Sequence, residues 1–239
     1  MVAGHHRCEH GLGRGHGQQR RHVAVVDTGM LDHPDLAGRV LPGHDFILDI
    51  ERARDGNARD GDPRDEGDWT NDGDCGGFAA QSSFFHGLFV AGQIAANANN
   101  DVGIAGVDWA AKILPVRVLG KCGGNVEDVI AGIVWSAGLP VQGAPVNPHP
   151  AKVINLSLGG HGPCTAAEQE AIDDAIAQGT VVVAAAGNDT DDASFFSPAN
   201  CSGVITVGAM SRTGERSSYS NFGRRSTSRR RAGTWTKKG

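Results

Sequence analysis

The sequence predicts an α/β domain of three layers, with a mostly parallel central sheet and helices packed on both of its faces. Two observations carry this prediction. Short β-branched runs (Val23–Asp27, Lys112–Leu119, Val153–Leu158, Val181–Ala186 and Val204–Val207) alternate with stretches whose apolar residues recur at helical spacing. The first run, Val-Ala-Val-Val-Asp-Thr-Gly over Val23 to Gly29, is continuously apolar and ends abruptly in an acid. Such a run fits a strand buried on both faces, and ligands of parallel sheets bind beyond the carboxyl ends of strands, where Asp27 falls.

Residues 1–22 are rich in Gly, His and Arg without a period and predict no element. After the first strand, Leu31 to Phe46 is broken by Pro34 and Pro42, and Asp49 to Cys75 forms a long acidic loop. Loops of that length are functional or merely solvated. The functional alternative is an oxygen-ligand calcium site drawn from Asp60, Asp62, Asp65 and Asp68, although the glycine and glutamate spacing of an EF-hand is absent.

From His86 the pattern turns helical through Leu88, Val90, Ala91, Ile94 and Ala95. Lys112–Leu119 is the next strand. Asn125 can cap a helix striped by Val126, Val129, Ile130, Ile133 and Val134, which Gly138 and Pro140 end. A strand over Val153–Leu158 precedes a helix opened by a Thr165 and Glu168 capping box, striped by Ala171, Ile172, Ala175 and Ile176 and stopped at Gly179. Val181–Ala186 and Val204–Val207 complete the strands.

The 239 residues carry a net charge of -5 and 35 glycines, which argues against a nucleic-acid binder and for tight turns and close backbone approaches. No stretch reaches the apolar length of a membrane span, so no membrane partner is expected. Cys75, Cys122, Cys164 and Cys201 lie among Gly, Asn and Pro rather than in apolar runs, the setting of disulfides and of an extracytoplasmic protein. Three pairings are open. The first residues lack the apolar core of a signal peptide, so export implies a leader not present in this chain.

Asp27, His86 and Asn188, the last in Val-Val-Val-Ala-Ala-Ala-Gly-Asn, stand in that order at strand or helix ends. At these positions the chain resembles the subtilisin-like serine proteases, peptidase family S8, within their secreted bacterial subgroup. The matching stretches are Val-Val-Asp-Thr-Gly at Asp27, His-Gly-Leu-Phe-Val-Ala-Gly at His86, Val-Ile-Asn-Leu-Ser-Leu-Gly-Gly over Val153 to Gly160, and Ala-Ala-Gly-Asn at Asn188. The resemblance implies a subtilisin-like fold over 23–223 and hydrolysis of peptide bonds in polypeptide substrates. In that reading His86 is the general base and Asp27 holds its tautomer. Asn188 donates to the oxyanion, a contact whose loss costs about 10²–10³ in rate in subtilisins. Ser157, Leu158, Gly159 and Gly160 resemble the segment that pairs with extended substrate, and with Ala185, Ala186 and Gly187 they would line the first specificity pocket. Calcium is the implied structural cofactor, and a monomer the implied state.

Two residues depart from the family's histidine motif: Leu88 and Phe89 replace a Thr and a second His and add bulk beside the base. A larger departure is that the nucleophile motif Gly-Thr-Ser-Met-Ala does not occur in the chain. Ser226 and Ser228 lie in an arginine-rich tail without the small-residue turn or apolar helix a nucleophile needs. In a neighbouring reading frame the tail from Arg224 is compatible with Pro-Ala-Val-Asp-Val-Ala-Ala-Pro-Gly, which the family shows after Tyr-Ser-Asn-Phe-Gly, the residues at Tyr219 to Gly223. Shifted the opposite way, Glu9 to His22 is compatible with Ser-Thr-Ala-Trp-Ala-Val-Ala-Thr-Gly-Ser-Ser followed by Val, Val and Thr, and Cys8 becomes an accident of frame. The expectation is a partial peptidase domain over 23–223 flanked by frame-shifted segments at 1–22 and 224–239, inactive as written. Two rivals stand beside it: a non-catalytic peptide-binding pseudoprotease, and a basic-tailed anion or nucleic-acid binder.

Overall fold

A computed structural model describes residues 21–223. The expectations for Cys8, Ser226, Ser228 and the two frame-shifted segments lie outside the described residues, apart from the last positions of 1–22.

Six strands form one sheet: β1 (His22–Asp27), β2 (His44–Asp45), β3 (Lys112–Arg117), β4 (Val153–Leu156), β5 (Val181–Ala185) and β6 (Ile205–Val207). Their order is β6-β5-β4-β1-β3-β2, and every neighbouring pair is parallel. The chain leaves β1 for β2 and β3 on one side and later builds β4, β5 and β6 on the other. β1 is therefore where the strand order reverses, the position at which such sheets open a crevice at their carboxyl edge.

Alternation along β1 divides the core in two. Val23 and Val25 pack with Val90, Ala91 and Ala95 of helix α1 (His86–Ala95), whereas Ala24 and Val26 belong to the larger cluster containing helices α2 (Val126–Ser136) and α3 (Ala166–Ala177). Helices thus cover both faces, as the alternating sequence predicts. The α3 capping box is present in both directions, with Thr165 N–H donating to Glu168 at 3.0 Å and Glu168 N–H to the Thr165 hydroxyl at 3.2 Å. Asn125 does occupy the cap position of α2, but its side chain makes no capping bond. Ile176, placed in the α3 stripe by its spacing, is partly exposed, while Ala171, Ile172 and Ala175 are buried. β6 lies at the sheet's edge with Ile205 and Val207 exposed.

The cysteines pair as Cys75–Cys122 and Cys164–Cys201. The first bridge ties the acidic loop to the hairpin after β3, and the loop contains a short helix, Ile50–Ala53, that the sequence pattern does not reveal. Arginines pin it further. Arg117 of β3, buried to within 1% of full burial, bonds Asp45 at 2.6 Å, Asp55 at 2.8 Å and the Ala53 carbonyl. Arg59 pairs with buried Asp128 of α2 at 3.1 Å, and the Arg54 guanidinium lies 3.8 Å above the Trp69 ring. The loop is docked onto the domain rather than solvated throughout.

Candidate active site

Asp27 ends β1 on the same face as Val23 and Val25, the face that α1 covers. His86 is the first residue of α1. The residue before it, Phe85, adopts the left-handed conformation (φ 51°), a strained state for a bulky side chain that swings the chain into the helix. Strand parity and this turn bring the two side chains together: His86 Nδ1 lies 2.8 and 2.9 Å from the two carboxylate oxygens of Asp27. Asp27 is fully buried and also accepts the Thr28 N–H at 2.8 Å, whereas about a third of the His86 side chain remains exposed. One ring nitrogen is thus committed to the acid, and Nε2 is left for chemistry.

The hydrogen bond to Asp27 raises His86 above its usual range; burial opposes this, and the charges of Asp27 and Asp68 reinforce it. Phe84 stacks against the His86 ring with centroids 5.9 Å apart. Of the two departures in the histidine motif, Phe89 is exposed and Leu88 packs against the α1 cluster, so the added bulk does not part His86 from Asp27.

The remaining candidates sit at the same carboxyl edge. Ser157, Leu158 and Gly159 follow β4, Leu158 leaning on the main core and Ser157 accepting the Asn155 amide at 2.9 Å. Gly160 opposes Ser197 in a short antiparallel pair, so one of its edges is already occupied. Ala185 ends β5, Ala186 is buried, and Asn188 is exposed beyond Gly187. Gly187 has φ +104°, and a Cβ there would lie 2.3 Å from the Asn221 amide nitrogen. Asn221 itself is buried and braces this corner: it donates to the Ala186 carbonyl at 3.0 Å and accepts the N–H groups of Asp189 at 2.8 Å and Asp191 at 3.0 Å. Sequence reasoning assigned Asn221 no role, although it lies within the Tyr219 to Gly223 segment matched to the family.

The four carboxylates predicted to bind calcium do not converge. Asp60 accepts the Asp62 N–H and the Asn57 amide, Asp62 accepts the Arg64 N–H, and Asp68 accepts the Phe84 N–H. Asp65 is buried and binds the Thr28 hydroxyl and the Gly67 N–H, and its burial raises its pKa. Among the described residues no three His, Cys, Asp or Glu side chains gather as a metal site. As a set these four do not fit calcium: spacing in an acidic loop suggests ligands, but their oxygens serve loop turns and Thr28.

Comparison with known proteins settles the family. The model of the subtilase family, Peptidase_S8, matches residues 19–235. The chain belongs to the subtilase family. An extracellular protease of Xanthomonas campestris pv. campestris is 52% identical over 202 residues, covering 84% of this chain and 35% of that protein. An extracellular basic protease of Dichelobacter nodosus is 50% identical over 208 residues, covering 85% and 34%. This subtilase chain therefore spans about a third of the length of these two relatives. Among solved structures, a protease from Pseudoalteromonas arctica PAMC 21717 superposes with a TM-score of 0.84 at 50% identity, covering 84% of this chain and 60% of that one. The subtilase sheet expected from the sequence is thus present, and among the described residues no helix is long and apolar enough to cross a membrane.

Proposed function

We propose that this subtilase chain is the greater part of the peptidase domain of a secreted, monomeric serine endopeptidase acting on polypeptides. In that domain His86 takes the proton of a serine nucleophile, Asp27 fixes its tautomer and stabilises the imidazolium, and Asn188 donates to the oxyanion. The observation that carries this reading is the two-oxygen contact of buried Asp27 with His86 Nδ1, at 2.8 and 2.9 Å. That contact turns Nε2 outward in the neutral ring, as a general base requires. The extracellular names of the relatives and the two disulfides support secretion.

The sequence holds no Gly-Thr-Ser-Met-Ala motif, and we attribute this to a slip of reading frame after Gly223, with a separate slip near His22 accounting for the segment before β1. Without the serine, turnover falls by about 10⁶ in subtilisin, so the chain as written binds extended polypeptide without cleaving it. Ser157 to Gly159 pair with that polypeptide as an added strand, and Ala185 to Gly187 border its first side-chain pocket. Calcium remains a structural partner of the intact protein on the strength of the family alone, with none of the four loop aspartates assigned to it.

Resequencing the coding DNA through both junctions and beyond the present stop tests this reading. A slip followed by an in-frame Gly-Thr-Ser-Met-Ala is expected, and protein from the restored frame should hydrolyse casein, with Asp27→Asn losing roughly 10⁴ in kcat. DNA that confirms the present frame and encodes no serine motif downstream would leave a binding-only subtilase as the better account.

A further inference from the structure

Helix α1 begins without a side-chain cap of its own, because Phe85 offers none. The first N–H groups of a helix have no intrahelical acceptor, and Gly87 carries one of them. Its partner comes from a distant segment: the Gly87 N–H donates to the hydroxyl of Thr28 at 3.0 Å. That hydroxyl in turn donates to Asp65 at 2.6 Å. Thr28 and Asp65 are each only 4% exposed, and the second Asp65 oxygen accepts the Gly67 N–H at 2.9 Å.

Backbone bonds tie the same segments together. Met30 N–H donates to the Pro63 carbonyl at 2.9 Å, and Asp65 N–H to the Met30 carbonyl at 3.1 Å. α1 also approaches the turn after Asp27 so closely that a Cβ on Gly87 would lie 2.4 Å from the Gly29 carbonyl oxygen. A hydroxyl has one proton and two lone pairs. With its proton committed to Asp65, the Thr28 oxygen presents lone pairs to Gly87; with the proton free, it can rotate toward the helix and lose the acceptor.

We infer that Asp65 and Thr28 form a positioning relay, in which a carboxylate of the acidic loop orients a hydroxyl that caps α1 and so holds His86 on Asp27. The inference rests on reading Asp27 and His86 as the acid and base of the site. Neither relay residue touches a reacting atom. The carboxylate that sequence reasoning gave to calcium acts on the base through a hydroxyl and a helix start.

The test is a proton and nitrogen NMR titration of His86 in the full chain with both disulfides formed. The expected wild-type result is a His86 pKa above 6.5 with a downfield Nδ1 proton. Thr28→Val removes both hydroxyl bonds without changing charge, and should lower the His86 pKa by about one unit, a tenfold loss of preference for imidazolium, and abolish the downfield signal. Thr28→Ser should restore both. Asp65→Ala should behave like Thr28→Val, while Asp65→Asn, which keeps an acceptor oxygen, should stay near wild type. Ile172→Ala, a cavity in the opposite core cluster, supplies a destabilised control in which His86 should not shift.

A wild-type His86 that titrates at or below 6.5 would overturn the acid–base reading itself. With wild type raised, an unshifted Thr28→Val overturns the relay. So does a shift in Ile172→Ala, which would mean general loosening, or an Asp65→Asn shift equal to that of Asp65→Ala, which would mean charge alone. If Thr28→Val does not fold, the two Asp65 variants decide the matter by the same criteria.

Discussion

The side-chain amide of Asn221 donates to the carbonyl of Ala186 at 3.0 Å, while its oxygen accepts two N–H groups beyond Asn188. One buried side chain thus braces the corner that presents the proposed oxyanion donor from both sides. Asn221→Ala should cost about 1–3 kcal/mol, because it strands buried backbone groups. Hydrogen exchange should report the loss locally, with the Asp189 and Asp191 amides exchanging faster while those of β1 keep their order of protection. Uniform acceleration across the sheet would mean that Asn221 only stabilises the fold.

Raising the His86 pKa in the folded state makes a pH-dependent contribution to stability. That contribution is fully present below the unfolded value of about 6.5 and is lost as pH rises through the folded value. The stability difference between wild type and His86→Ala, measured by urea unfolding, should therefore be larger at pH 6 than at pH 9. Equal differences at the two pH values would show that Asp27 does not favour the imidazolium.

His44 runs the other way. It is buried between Phe46 and Trp135, with ring centroids 4.7 and 5.5 Å away, and neither of its nitrogens has a partner. Burial lowers its pKa, opposed by Asp60 and assisted by Arg59. The unfolded chain therefore takes up this proton before the folded one does, and stability falls as pH drops below about 6.5. His44→Phe should remove that slope and gain on wild type by up to about 1.4 kcal/mol for each pH unit of acidification below 6.5. Parallel stability curves from pH 7 to pH 5 would refute this.

Arg117 serves two carboxylates and a carbonyl from inside the protein. Burial pushes the Asp45 carboxyl up to about 7 even beside Arg117, so Arg117→Ala should cost about 3–5 kcal/mol above that pH, where Asp45 is ionised and left without a counter-charge, and less below it. Arg117→Met combined with Asp45→Asn should recover much of that loss, since volume is refilled and the buried charge is gone. A double variant no more stable than Arg117→Ala would place the cost elsewhere.

Separation of the Cys75–Cys122 bridge by Cys75→Ser should cost about 2–5 kcal/mol, as for other native disulfides of secreted domains. Because that bridge fastens the acidic loop, limited proteolysis should open 55–75 before the strands. Cleavage that begins in β4 or α3 instead would show that the arginine contacts alone hold the loop.

Local patterns made much of this molecule legible. The run ending at Asp27, the helical spacing after His86 and the Thr165–Glu168 pair each carry their structure within a few residues, and each appears where the sequence places it. The acidic loop was not legible for the opposite reason. Whether Asp55, Asp60 or Asp65 faces water, a metal, an arginine or a hydroxyl depends on partners up to 62 residues away, as in the bond from Arg117 to Asp55. Cysteine spacing likewise left three pairings open until the fold brought Cys75 to Cys122 and Cys164 to Cys201. Asn221 carried no local signal beyond a family match, because its work is done on a loop some 30 residues earlier in the chain.

The two-faced alternation of β1 makes its register matter twice. Val23, Val25 and Asp27 share one side of the strand, and Ala24 and Val26 the other. Sliding the whole of β1 by one residue against its neighbours would exchange the two sets. The same event that turned the valines away from their helix would point the acid away from its histidine. Packing and chemistry in this strand are therefore written on a single phase, and no one-residue slip of the intact strand can spoil one while sparing the other.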